Sequence, residues 1–151
     1  MAIVTFENLM NRAQEFEQKL ERYYAQIRDE SKDQGVRLLT YYLARHRRHL
    51  DRALSELSAE KRAHIFKLQL KYDVDFSPEK NFKLLDKAVE DVRSALLLEA
   101  AVGYDEELIH LYKSVQSQPM SEEAHALVES LIRIEEKDVI MLKKMIAMNY
   151  F

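Results

Sequence analysis

The sequence predicts an all-α protein: a bundle of four long helices in two short-looped pairs, joined by one long, partly extended crossover. Three observations lead there. Gly and Pro occur only twice each in 151 residues, while 47% of the chain is hydrophobic and 32% charged, the mixture of amphipathic helices. Apolar residues recur at steps of three and four in four separate stretches. Between the second and third of these, one stretch alternates apolar and polar residues with period two, the signature of extended chain. Two helix pairs linked by one long connection make a four-helix bundle with a single crossover, and the length suits a single domain spanning residues 1–151.

The first helix carries Phe6, Leu9, Met10, Ala13, Phe16, Leu20, Tyr24 and Ile27 on one stripe, and is expected to end in DESKDQG, with Gly35 among the punctuating residues. The second runs through Leu39, Tyr42, Leu43, His46, Leu50, Ala53 and Leu57. FKLQLKYDVDF, Phe66 to Phe76, is the alternating stretch; it is expected to lie along the bundle with every second side chain packed down. A hairpin is not expected, since no second alternating run exists to pair with it. The third helix is expected to open at Ser77-Pro78-Glu79, a cap residue followed by proline at the first helical position. Its stripe is Leu84, Leu85, Ala88, Val92, Ala95, Leu98, Val102, Asp105, Ile109 and Tyr112. Ser121 is expected to cap the fourth, with Ala124, Leu127, Val128, Leu131, Ile134, Asp138, Met141 and Met145 inward.

Composition narrows the function classes. Cysteine is absent, which removes disulfides, thiolate metal sites and cysteine nucleophiles, and fits a cytoplasmic protein. The first residues have neither a basic start nor a continuous apolar run, so no signal peptide is expected. ALLLEAAV, Ala95 to Val102, is too short to span a bilayer. A net charge of −3 argues against a general nucleic-acid binder. RHRRH looks basic, but Arg45, Arg47 and Arg48 fall on outer or flanking helical faces, as a solvated charge run does.

Polar residues on the apolar stripes are the informative feature. His46 lies three after Leu43 and four before Leu50, and His49 sits one turn further on. Asp105 occupies a core phase between Val102 and Ile109, and Asp138 one between Ile134 and Met141 or Leu142. Glu135 falls four after Leu131, and Glu17 four after Ala13. Four carboxylates inside a bundle require cations, because a buried carboxylate without partners costs several kcal/mol or takes up a proton. Two histidines and a metal ion are the candidates. The spacing repeats: Glu17 precedes His46 and His49 by 29 and 32 residues, and Asp105 precedes Glu135 and Asp138 by 30 and 33. Tyr24 and Tyr112 each lie seven after the leading carboxylate.

With these residues in place, the chain resembles the rubrerythrin-like branch of the ferritin-like superfamily. There each half supplies a Glu from its first helix and a Glu-x-x-His from its second, around a di-iron or di-manganese centre. FEQKLERYYAQI resembles the first-helix segment, with Glu17 as ligand, and YDEELIHLYKSV the third-helix segment, with Asp105 in that place. In LARHRRHLDRAL, His49 keeps the family's histidine and His46 replaces the glutamate; in LIRIEEKDVIMLKK, Glu135 keeps the glutamate and Asp138 replaces the histidine. The resemblance implies a ferritin-like fold and a metal site of altered composition at Glu17, His46, His49, Asp105, Glu135 and Asp138, holding Fe, Mn or Zn.

Other readings of the same residues stand beside this one. Buried imidazolium–carboxylate pairs would fix helix register without any metal, making the chain a non-catalytic scaffold or dimerisation module. Arg45, Arg47, Arg48 and Arg52 would bind an anion or nucleic acid with steep salt dependence. His64, His110 and His125 read as surface or packing residues, and Glu99 as a flank residue reaching water. Gly103 interrupts a good helix two residues before Asp105, where either a bulge or a close helix approach would account for it. Tyr23, Tyr24, Tyr41 and Tyr42 cluster near the end of the first helix pair, and the tail MIAMNYF is apolar; both are expected to pack on the bundle or on a second copy in a homodimer.

Overall fold

The computed structural model describes residues 4–46, 49–71, 73–74, 76–78 and 87–149, with His46 described through its backbone alone. The protein is all-α. Helix α1 spans Phe6–Glu30, α2 Gln34–His46, α3 His49–Ser55, α4 Ala59–Phe66, α5 Ser94–Gln116 and α6 Glu122–Ala147, with a short 3₁₀ turn at Val89–Asp91 before α5.

Helix α1 forms where its stripe requires, and each of its eight stripe residues is buried. It starts with a reciprocal cap: Asn8 N–H donates to Thr5 Oγ1 at 3.2 Å and Thr5 N–H to Asn8 Oδ1 at 3.0 Å. It stops at Glu30, three residues before the next helix. Gly35 does not punctuate this turn. It lies inside the first turn of α2, and Asp33 is the stop-and-start residue, its Oδ1 accepting from Gly35 N–H at 2.9 Å and Val36 N–H at 3.2 Å. A side-chain oxygen facing the free N–H groups of a first turn does what glycine cannot.

Helix is present on both sides of residues 47–48, and Leu50 and Leu54 continue the buried stripe in α3. The helix ends at Ser55, so Leu57 packs from a turn. Helix α4 follows, a segment that apolar spacing does not mark because Ile65 is its one buried residue. Its signal is the cap, Ser58 Oγ accepting from Lys61 N–H at 3.2 Å. The alternating stretch is corrected at its start: Phe66 ends α4 and Lys67 keeps a helical backbone, and from Leu68 the described residues leave the helix. Leu70, Val74 and Phe76 are buried, while Lys67, Gln69, Lys71 and Asp73 face water. Its backbone pairs with the chain entering α1, Phe6 N–H donating to Leu68 O at 2.9 Å and Leu70 N–H to Val4 O at 2.8 Å. Among the described residues this is an isolated antiparallel bridge, Thr5 to Gln69.

The expected third helix is corrected at its start. Pro78 is helical, and residues 79–86, with Leu84 and Leu85, lie outside the described residues. Residues 87–93 are not α-helical: the 3₁₀ turn holds Val89–Asp91, and Val92 and Arg93 are extended. Val92 nevertheless buries its side chain, because the turn packs against α1; tertiary contact satisfies that valine without helical phase. Ala88 and Ala95, given to the stripe, are exposed. Ser121 caps α6 as expected, accepting from Ala124 N–H at 3.2 Å. Met141 is 46% exposed and Leu142 takes its place inside. In the tail, Met145 is buried and Met148 exposed, while Tyr150 and Phe151 lie outside the described residues.

The helices pack as two hairpins, α1 against α2 and α5 against α6, with α2 meeting α5 and α3 meeting α6. The rings of Phe16 and Tyr104, 4.9 Å between centroids, join α1 to α5. Apolar side chains from all of these helices form one core, with carboxylates embedded in it.

Candidate metal centre

Glu17, Asp105, Glu135 and Asp138 are all buried, with Asp105 wholly inaccessible. Their position follows from helical phase. Asp105 sits on α5 between the buried Val102 and Leu108, Glu135 and Asp138 on α6 between Leu131 and Leu142, and Glu17 on α1 between Ala13 and Leu20. The apolar neighbours that turn each helix inward carry the carboxylates with them.

Asp105, Glu135 and Asp138 each present a carboxylate oxygen within 4.8 Å of the others. His49 Nδ1 lies 3.7 Å from Glu135 Oε1. Tyr112, fully buried on α5, has its phenol held well above the usual range by burial and then by the charges of Glu135, Glu17 and Asp105. Glu17 is thus among the charges that act on Tyr112, from α1. Tyr42 is also raised, by burial and then by Asp138, and its hydroxyl donates to Met141 Sδ at 2.7 Å.

Of the six residues singled out by sequence, Asp105, Glu135 and Asp138 come together, His49 stands half-buried beside Glu135, and Glu17 is buried on α1. For the sixth, His46, the backbone ends α2 one turn before His49 and the side chain lies outside the described residues. Arg45 and Arg52 are exposed, as a solvated charge run would be, and Arg47 and Arg48 lie outside the described residues. His64, His110, His125 and Glu99 are exposed. Gly103 gives neither of the expected explanations. Its helix is regular α, and a Cβ built on it meets nothing within 4 Å.

A surface cavity of about 640 Å³ opens between α3, α4 and α6, with His49, Arg52, Leu57, Lys61, Leu127 and Ile134 in its lining.

Chemically, a buried Asp–Glu–Asp cluster can hold a metal ion. Transition-metal to carboxylate bonds of about 2.0–2.2 Å in a tetrahedral arrangement put neighbouring donors about 3.4 Å apart, so oxygens within 4.8 Å of one another close by up to about 1.4 Å on binding. Carboxylate oxygen with one imidazole nearby is a donor set that Mn, Fe and Zn accept. No protein-family model, curated protein or solved structure matches the chain. Among the described residues, no helix is long and apolar enough to cross a membrane.

Proposed function

We propose that the protein is a ferritin-like four-helix bundle related to the rubrerythrins, and that it binds a divalent transition metal between α5 and α6 for metal handling or redox work. The observation carrying this reading is the convergence of Asp105, Glu135 and Asp138, all buried, onto one point. Three carboxylates gathered away from water repel one another unless a cation joins them. Glu17 and His49 complete the ligand set from the first hairpin, with His46 as the sixth member that the repeat supplies. Iron or manganese held there would supply one-electron chemistry. The chain's own contribution is to hold the oxygens together and keep bulk water out with the surrounding Leu and Tyr side chains.

The test is calorimetric titration of chelator-treated protein with Mn(II), Fe(II) under argon, and Zn(II), with Mg(II) and Ca(II) as controls. The reading expects saturable transition-metal binding that Glu135→Gln and Asp105→Asn weaken at least tenfold. A flat titration with all of them contradicts it.

A second reading is favoured by one contact. His49 beside Glu135 is what a metal-free network would use, an imidazolium offsetting a buried carboxylate. In that case the protein is a helical scaffold or dimerisation module, and chelators leave its melting temperature unchanged. Leu38, Tyr41, Ile140, Met141 and Met148, each 46–68% exposed, are the surface on which a homodimer would form under either reading, and light scattering after gel filtration reads its mass.

A further inference from the structure

Tyr112 is the group at this centre that the six-residue ligand set leaves out. It stands two turns after Asp105 on α5. Seven residues apart, the two lie on one face of the helix, and long helical side chains lean toward the N-terminus of their helix. The residue is fully buried, and its hydroxyl has no hydrogen-bond partner among the described residues. Glu135, Glu17 and Asp105 are the charged groups within electrostatic reach of that oxygen. A phenol oxygen is both donor and acceptor, and buried polar atoms are almost always paired. An unsatisfied oxygen facing a carboxylate cluster is therefore an observation to be explained. Ordinary packing does not explain it, since phenylalanine would fill the same space without leaving a polar atom unsatisfied.

We propose that Tyr112 is itself a metal ligand, binding a ferric ion through its phenol oxygen beside Asp105 and Glu135. The inference rests on the metal-site reading above. On binding, the O–H bond breaks, the oxygen lone pair forms the bond to iron, and the proton passes to water or to a neighbouring carboxylate. No electron moves in this step, and the iron is supplied already as Fe(III). A hard trivalent ion favours anionic oxygen, and its charge favours the ionised phenol that burial alone opposes. The consequence is a centre that prefers ferric over ferrous iron.

The experiment is reconstitution of the full chain with ferric citrate, followed by desalting, iron analysis, visible absorption and resonance Raman spectroscopy. The expected result is bound iron with a phenolate-to-iron charge-transfer band and enhanced tyrosine ring modes. Tyr112→Phe is expected to keep iron content within twofold and lose the band, while Tyr24→Phe, Tyr42→Phe and Tyr104→Phe each keep it. If Tyr112→Phe does not fold, those three variants still decide, because loss of the band in any of them assigns it elsewhere and overturns the proposal. Iron bound by the wild type with no such band overturns tyrosine ligation and leaves the metal site standing. A wild type that retains no iron overturns the proposal, while the divalent-metal reading stands or falls by its own titration.

Discussion

Asp105→Asn is the perturbation whose sign separates a metal centre from a metal-free network. The carboxylates of Asp105, Glu135 and Asp138 approach within 4.8 Å of one another. At that distance two unit charges repel by about 3.5 kcal/mol at an effective dielectric of about 20. With all three ionised, Asp105 contributes two such pairs. His49 lies beside Glu135, one of the three. Replacing Asp105 by its neutral isostere is therefore expected to stabilise the chelated protein by about 2 kcal/mol, allowing for hydrogen bonds the amide fits less well. For a chain of this length that is a rise of about 4–8 °C in melting temperature. In Mn(II) at a hundredfold excess over the wild type's Kd, the wild type gains about 2.7 kcal/mol and a variant weakened tenfold about 1.4 kcal/mol, so the variant's lead narrows by about 1.3 kcal/mol. The assay is a pair of thermal melts, with EDTA and with Mn(II), for both proteins. Asp105→Asn melting well below the wild type in EDTA would refute the reasoning. It would show the carboxylate to be already neutralised by protein groups.

Three further outcomes follow from single features. Gly103→Ala is expected to stabilise the protein by about 1 kcal/mol, since the position is regular helix with open space around a built Cβ; a fall in melting temperature would mean that something covers it. Ser121→Ala is expected to cost about 1 kcal/mol in chemical denaturation by leaving Ala124 N–H without its cap, and an unchanged midpoint would contradict that. The phenol of Tyr112 is raised, by burial first and then by Glu135, Glu17 and Asp105. Its contribution to stability is therefore fully present below the unfolded value near 10, and is lost as pH rises through the higher folded value. Ultraviolet titration is expected to show a tyrosine component that ionises only as the protein unfolds, and that component is smaller by one residue in Tyr112→Phe.

Where the structure matches the sequence, side-chain phase alone decides the outcome. Helix α1 has one unbroken stripe, a capping pair and no competing signal, and all eight of its stripe residues are buried. The crossover from Leu68 onward was legible because period two differs from period 3.6, while its first residues, Phe66 and Lys67, finish α4 instead. The acids were legible for the same reason, since a carboxylate in core phase between leucines has nowhere else to point. What sequence missed was decided by contacts it does not encode locally. Val92 is buried by the neighbouring α1 and not by its own helix. Helix α4 has a serine cap but too few apolar residues to announce itself. At the centre, the Tyr112 repeat was visible, but its unsatisfied hydroxyl was not, because hydrogen bonding depends on distances across three helices. Gly103 was over-read: a glycine before a functional aspartate invites a geometric role, and open space denies it one.

The most direct test of the central claim is a crystal of the full chain soaked in Mn(II), measured for anomalous scattering. The account predicts a peak bounded by Asp105, Glu135 and Asp138, with the oxygens drawn in to about 2.0–2.2 Å. A soaked crystal with no anomalous density there, and with His49 on Glu135 as the cluster's cation, would contradict it.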